Sequence, residues 1–417
     1  MHHADRSSEP TPPPPPSAPT ATSSIRGLFE RVLPSFVIPT RTSEAEGIIR
    51  ELFSLADIQI GGTRRGDIQV KDQRFYERTL RGASLGFGEA YMDEWWETDA
   101  LDVTIDKVMR ANLKQKISGS WKLKALTAKA LLLNLQSKQR SGASVEAHYD
   151  IGNDLYTRML DERMVYTCGY WKTAKTLQEA QDHKLDLVAR KVGLKPGMRV
   201  LDMGCGWGGM ASWAAEKYGC KVLGVSLSKD QVALGNELWG PKGKKLDVEL
   251  KLMDYRDVTG TFDRVISIGM MEHVGPKNHR TMMECINARL ADDGVALVHT
   301  IANNRSLRHG TPWVEKYIFP NAVAPSMAQI GRALEGLFVL EDLHNIGPDY
   351  DPTLMAWWDN FDRTYSEISH KYDRRFYLMW KFYLLAAAGA SRSRDGQLYQ
   401  VVLTKTGRQQ PDYARQV

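Results

Sequence analysis

The chain has 417 residues, 42% of them hydrophobic, enough to bury a large core and to form two or three domains. Its 55 basic and 50 acidic residues leave a net charge of +5, too mild to argue for a nucleic-acid partner. Four scattered cysteines (Cys168, Cys205, Cys220, Cys285) with no CxxC pair fit neither a zinc site nor a disulfide framework, and no run reaches the ~18–20 apolar residues of a spanning helix.

Residues 1–24 hold seven prolines among Ser, Thr and Ala, lack the apolar core of a signal peptide, and are expected to be a disordered tail. An N-terminal module is expected over 25–140. It opens with helical spacing near Glu44–Leu55 and carries the string GEAYMDEWW at 88–96. Residues 111–140 contain seven Lys or Arg and no acid, and Trp121–Leu135 reads as a basic, leucine-rich helix. The remaining segment, 141–417, is expected to form a single larger domain.

Beyond Arg190 the texture changes. Short β-branched runs at Arg199–Met203, Lys221–Val225, Val248–Leu252, Phe262–Ile268 and Val295–Ile301 alternate with helical stretches near Gly208–Tyr218, Lys229–Trp239 and His279–Leu290. That alternation predicts an α/β fold with a parallel sheet and right-handed crossovers. Phe338–His344 and Leu398–Thr404 are candidates to finish the sheet, with helices between them carrying Trp357, Trp358 and Arg374–Leu385.

The first of these strands runs into VLDMGCGWGG (200–209). A glycine-rich turn there lets backbone approach a ligand and aims a helix N-terminus at it. Gly204, Gly206 and Gly209 fit the dinucleotide pattern, whereas Asp202 with Gly204, Gly206 and Gly208 fits the loop of S-adenosylmethionine enzymes. The second strand ends in GVSLS (224–228), without the acid that would hold an adenosine ribose, although that alone does not separate the classes. Asp202 suits a cofactor bearing an ammonium and a sulfonium; a plain turn with Asp202 capping the next helix is the bland alternative.

The motifs HYDIGND (148–154), MVYTCGYW (164–171), LDMGCGWGG (201–209), MEHVGPK (271–277), LVHT (297–300), KYIFP (316–320) and DYDPTLMAW (349–357) occur in one order. In them the chain resembles the cyclopropane-fatty-acyl-phospholipid synthase family, kin to the mycolic acid cyclopropane synthases. The resemblance implies a Rossmann-like class I methyltransferase sheet with a smaller mixed, helical N-terminal domain. It implies S-adenosylmethionine as donor, lined by Tyr166, Thr167, Asp202, Gly204, Gly206, Gly208, Ser226, Gln231, Tyr255 and Arg256. The implied acceptor is a cis double bond in an acyl chain of a membrane phospholipid. It further implies a bicarbonate base held by Cys168, Glu272, His299 and Tyr350, with His273 in support, and a cytoplasmic homodimer peripheral to the inner face of the membrane.

The chemistry of such a transfer wants a dry site and walls tolerant of positive charge, for which Tyr166, Tyr170, Trp171, Tyr317, Trp357 and Tyr383 are candidates, most of them equally suited to core packing. Ala387 stands where many relatives carry a cysteine, so a covalent route through that position is closed, and Ala302 and Ala322 stand where glycine is common. The Trp121–Leu135 segment is a candidate for docking on an anionic surface, or a packing helix with a solvated basic face. Three outcomes stay open: a cyclopropane, a methyl- or methylene-branched chain, or a lipid-binding relative without catalysis.

Overall fold

The computed structural model describes residues 42–113, 116 and 151–408. The proline-rich tail and the basic segment over 121–135 lie outside the described residues. Among the described residues no helix is long and apolar enough to cross a membrane.

The chain enters through a helix, Thr42–Ser54, and a small antiparallel pair, β1 (Gln69–Val70) and β2 (Trp96–Glu97), flanking the helix Arg74–Met92. The main sheet is then built from β3 (Arg199–Met203), β4 (Lys221–Ser226), β5 (Val248–Leu252), β6 (Phe262–Ile268), β7 (Leu290–Asn303), β8 (Phe338–Asn345) and β9 (Gly396–Lys405). Their order is β5-β4-β3-β6-β7-β9-β8. Strands β3 to β7 pair in parallel, and β9 runs antiparallel between β7 and β8. The α/β reading is borne out, as are the strands expected near both ends. One boundary differs: β7 begins at Leu290, not Val295. The turn-like ADDG over 291–294 is absorbed in a register irregularity between the Phe262–Leu290 and Arg264–Val295 pairs.

Alternation along the strands feeds two cores. Val200, Val222, Leu250, Ile266 and Leu297 pack against helices Leu177–Lys191, Gly209–Tyr218 and Lys229–Trp239 through Leu185, Val188, Ala211 and Val232. Leu201, Met203, Val265, Ala296 and Val298 face the other way, onto Met282, Ile286 and Ile330 of helices His279–Arg289 and Met327–Leu334. Both faces are covered, so the strands read as unbroken apolar runs. The order of the strands reverses between β3 and β6, and the crevice beyond their carboxyl ends is where such sheets hold ligands.

A third, aromatic core joins the N-terminal elements to helices Tyr350–Ile368 and Arg374–Arg392. Phe87 stacks on Trp96 at 4.2 Å, and Phe382 meets Phe87, Tyr91 and Trp313. Arg392 ties the same elements together: it reaches Asp102 Oδ2 at 2.7 Å and both oxygens of Asp351 at 2.8 Å. Asp102 is buried. Replacing Arg392 by Met is expected to leave that carboxylate without its cation and to lower unfolding free energy by about 2 kcal/mol, less than for a fully buried pair because Arg392 is partly solvated. Urea denaturation of the two proteins measures it.

Candidate active site

The turn after β3 depends on its glycines. Gly208 adopts φ +82°, and a Cβ there would meet Leu250 Cδ1 at 2.8 Å. Gly204 adopts φ +79°, where a Cβ would press on Met270 at 3.0 Å. Any side chain at either position would be strained, and at Gly204 it would press on the turn after β6. Asp202, one residue from the end of β3, is buried, and its Oδ2 has no hydrogen-bond partner among the described residues. Burial pushes its carboxyl up to about 7, opposed by the Lys184 ammonium and the Ala211 backbone N–H. The unpartnered oxygen leaves room for a second, cationic partner.

Lys184 was not singled out by sequence reasoning. Its ammonium is fully buried on the helix Leu177–Lys191 and donates to Thr167 Oγ1 at 2.9 Å. Burial pulls it down to about 8, against the pull of Asp161, Cys168 and Asp202. One signal does mark it: Leu177, Ala180, Lys184 and Val188 fall on one helical face, so the lysine interrupts an apolar stripe.

These residues open onto a single cavity of about 690 Å³. Its lining includes Tyr166, Thr167, Gly204, Gly206, Ser226, Gln231 and Tyr255, and also Cys168, Glu272, His299 and Tyr350. Ser226 Oγ and Gln231 Oε1 lie 3.1 Å apart at the end of β4, where a ribose-binding acid is missing. Two expected cofactor residues sit elsewhere. Gly208 shapes the turn and is not among the lining residues, and the Arg256 side chain is held by Asp254 at 2.7 Å and faces solvent. Arg256 is captured because Asp254, two residues before it, accepts its backbone N–H and its guanidinium together.

On the far wall, Glu272 follows β6 and is buried. Thr300 Oγ1 donates to its Oε2 at 2.7 Å, and the Ile301 N–H reaches Oε1 at 3.4 Å. Burial pushes the carboxyl up. His299, on β7, is held neutral because burial drives its pKa well down. Gln400 Nε2 contacts its Nδ1 at 3.4 Å. With that amide donating, the ring proton resides on Nε2, which has no partner among the described residues. Cys168 is a buried thiol that donates to the Gly169 carbonyl at 3.2 Å, and burial pushes it up, so it remains protonated. Tyr350 starts the helix Tyr350–Ile368, and burial holds its phenol neutral. This wall therefore presents the Glu272 carboxyl beside the unpartnered Nε2–H of His299 and the neutral Tyr350 hydroxyl, an acceptor and two donors in one space.

Between the two walls stand Tyr166 and Tyr383, hydroxyls 2.9 Å apart, with Phe319 edge-on to Tyr383 at 5.8 Å. Of the other aromatic candidates, Trp357 is buried behind Tyr166 at 5.1 Å and beside Tyr350 at 6.1 Å. Trp171 bonds Thr353, Tyr317 bonds Glu89, and Tyr170 packs on His344; none of the three lines the cavity. Phe319 and Tyr156 line it without having been anticipated, and Trp207 lines it as part of the glycine-rich turn. His273 and Ala322 border the cavity; Ala302 is buried in β7 and Ala387 lies in the aromatic core.

Comparison with known proteins gives four likenesses of the same kind. Residues 136–401 match the family model described as mycolic acid cyclopropane synthetase. The chain is 47% identical over 358 residues to the cyclopropane-fatty-acyl-phospholipid synthase of Escherichia coli (strain K12), spanning 86% of this chain and 93% of that one. Among solved structures, the cyclopropane synthase MmaA2 from Mycobacterium tuberculosis superposes with a TM-score of 0.58 at 30% identity, over 63% of this chain and 97% of that one. The mycolic acid cyclopropane synthase CmaA1 complexed with SAH and CTAB gives 0.57 at 30% identity over the same shares.

Proposed function

This chain belongs to the mycolic acid cyclopropane synthetase family, and from that premise we propose that it transfers a methylene unit from S-adenosylmethionine to the cis double bond of an unsaturated phospholipid acyl chain. The products are a cyclopropane chain, S-adenosylhomocysteine and one proton. The observation that carries this reading is the shared cavity: one space runs from the Gly204–Gly206 turn to Glu272, His299 and Tyr350.

At the sheet edge, Asp202 offers a carboxylate oxygen to the cationic end of the donor, and the glycine turn leaves room for its backbone contacts. Ser226 and Gln231 face the nucleoside, and Thr167, fixed by Lys184, orients the amino-acid end. Tyr166, Tyr383 and Phe319 exclude water from an alkene that is a poor nucleophile. Their π faces stabilise positive charge on the acyl chain by roughly 2 kcal/mol or more once desolvated.

The orphaned Nε2–H of His299, the Tyr350 hydroxyl, the Cys168 thiol and the Glu272 carboxyl fit a bound bicarbonate. That anion would supply a compact base beside the new methyl group. Glu272 would fix its orientation by accepting a hydrogen bond from its hydroxyl; His299 and Tyr350 would donate to its oxygens. No protein nucleophile is needed, which accords with a protonated Cys168 and with Ala387. A homodimer at the cytoplasmic face of the membrane belongs to the same reading.

Incubation of the purified chain with S-adenosylmethionine and mono-unsaturated phospholipid vesicles, followed by mass spectrometry of the fatty acid methyl esters, tests it. The expected product is heavier than its substrate by one CH₂ and lacks the double bond. A branched chain that keeps a double bond would replace cyclopropanation by plain methylation, and absence of any product would leave a lipid-binding protein.

A further inference from the structure

Strand β7 ends at Asn303, and regular structure resumes only at Pro312. The connecting NRSLRHG (304–310) carries two arginines and a histidine and no acid. Its course is fixed by hydrogen bonds at several points. The Asn303 N–H donates to the Pro325 carbonyl at 2.8 Å, and Asn304 Nδ2 donates to the Arg394 carbonyl at 2.8 Å. The Ser306 and Ser326 hydroxyls lie 2.7 Å apart, and the Gly310 N–H donates to Glu315 Oε1 at 2.7 Å. All of these bonds use backbone or small polar groups. What remains, Arg305, Leu307, Arg308 and His309, projects into water.

Neither guanidinium has an ion-pair or hydrogen-bond partner among the described residues. Leu307, between them, is 41% exposed and at the same time lines the catalytic cavity. Leu227, in the turn after β4, is 73% exposed and lines the same cavity. Two exposed leucines that line the cavity, one of them flanked by unpaired arginines on a well-anchored loop, have the chemistry of a membrane interface: apolar groups enter the acyl boundary while cations meet phosphates.

We infer that loop Asn304–Gly310 is a membrane-docking element, seating the cavity mouth on an anionic phospholipid surface through Arg305, Arg308 and Leu307. This rests on the acceptor being a bilayer lipid, as proposed above. It assigns docking to a segment other than the basic stretch at 121–135. The mouth is thereby held against the surface from which the acyl chain enters.

The test is co-sedimentation of the full chain, without S-adenosylmethionine, on phosphatidylglycerol-containing vesicles and on pure phosphatidylcholine vesicles. The double variant R305E/R308E is expected to lower partitioning onto the anionic vesicles by about thirtyfold or more, and L307S by about tenfold. R305E/R308E should bind S-adenosylhomocysteine as the parent does, and L307S should keep the parent's circular dichroism and urea midpoint, which shows that both are folded. Turnover of R305E/R308E on detergent-dispersed substrate should stay within about twofold of the parent, while its turnover on vesicles falls with partitioning. Unchanged partitioning of both variants overturns the inference. So does full loss of binding in K114E/K116E/K122E/K124E alone, because docking would then reside in the other segment. If the parent partitions as expected yet makes no modified lipid, the docking element stands and the proposed reaction falls.

Discussion

Glu272→Gln is expected to lower turnover by about a thousandfold while affinity for S-adenosylhomocysteine changes by less than about threefold. The substitution keeps the volume of the side chain, so the cavity keeps its shape. The hydroxyl of Thr300, which donates to Glu272 Oε2 at 2.7 Å, also lies 3.0 Å from the Ile301 carbonyl and can turn to it. The backbone around position 272 is fixed independently by the Val323 N–H donating to the Glu272 carbonyl at 2.8 Å. What the variant loses is acceptor capacity toward the cavity, since an amide nitrogen donates where a carboxylate oxygen accepted. A bound base would then lose its orientation, while the donor site around Asp202 and Gly204 is untouched. Isothermal titration with S-adenosylhomocysteine and product analysis by mass spectrometry separate the two effects. Full activity in the variant would remove Glu272 from the chemistry, and loss of cofactor affinity would make its role structural.

The division between what was legible in the chain and what was not follows the physics of each position. The sheet was legible because both of its faces are buried, so β-branched runs such as Arg199–Met203 and Phe262–Ile268 have no polar alternation to obscure them. The start of β7 was not, because Asp292 and Asp293 read as a turn although they are carried through a bulge. Among the candidate site residues, the glycine turn was marked by type and spacing, whereas the MEHV segment was marked only by the family resemblance. Arg256 was misplaced because a charged side chain two residues after an Asp has a local partner that sequence patterns do not weigh. Of the aromatics, only contact decides between wall and core: Tyr166 and Tyr383 face the cavity, whereas Tyr317 is drawn to Glu89. Lys184 was overlooked since lysine is ordinarily a surface residue, and its place in an apolar helical stripe is a weak mark unless one asks what an inward ammonium would neutralise.

That question gives the second large effect. Lys184→Met is expected to weaken S-adenosylhomocysteine binding at pH 7 by about tenfold or more and to move the pH dependence of binding upward by about one unit. Asp202 is buried and already pushed up to about 7, with the Lys184 ammonium as the main influence holding it down. In the parent, the carboxylate forms as pH rises through about 7, so affinity for a ligand bearing an ammonium group should climb over the same range. Without Lys184 the carboxylate forms later, and the climb shifts to higher pH. Stability gives an independent sign. Lys184 is pulled down to about 8 from the 10.5 of a free lysine, so the unfolded chain binds its proton more readily than the native one between those values, and native stability rises with pH there. The methionine variant should lose that rise in urea melts taken across the same range. Lys184→Arg keeps a positive charge beside Asp202 and should return the binding midpoint toward that of the parent, which a purely packing role would not do. If the midpoint stays where it was in Lys184→Met, the protonation of Asp202 is governed by its burial alone, and the buried ammonium acts on Thr167 and not on the charge of the donor site.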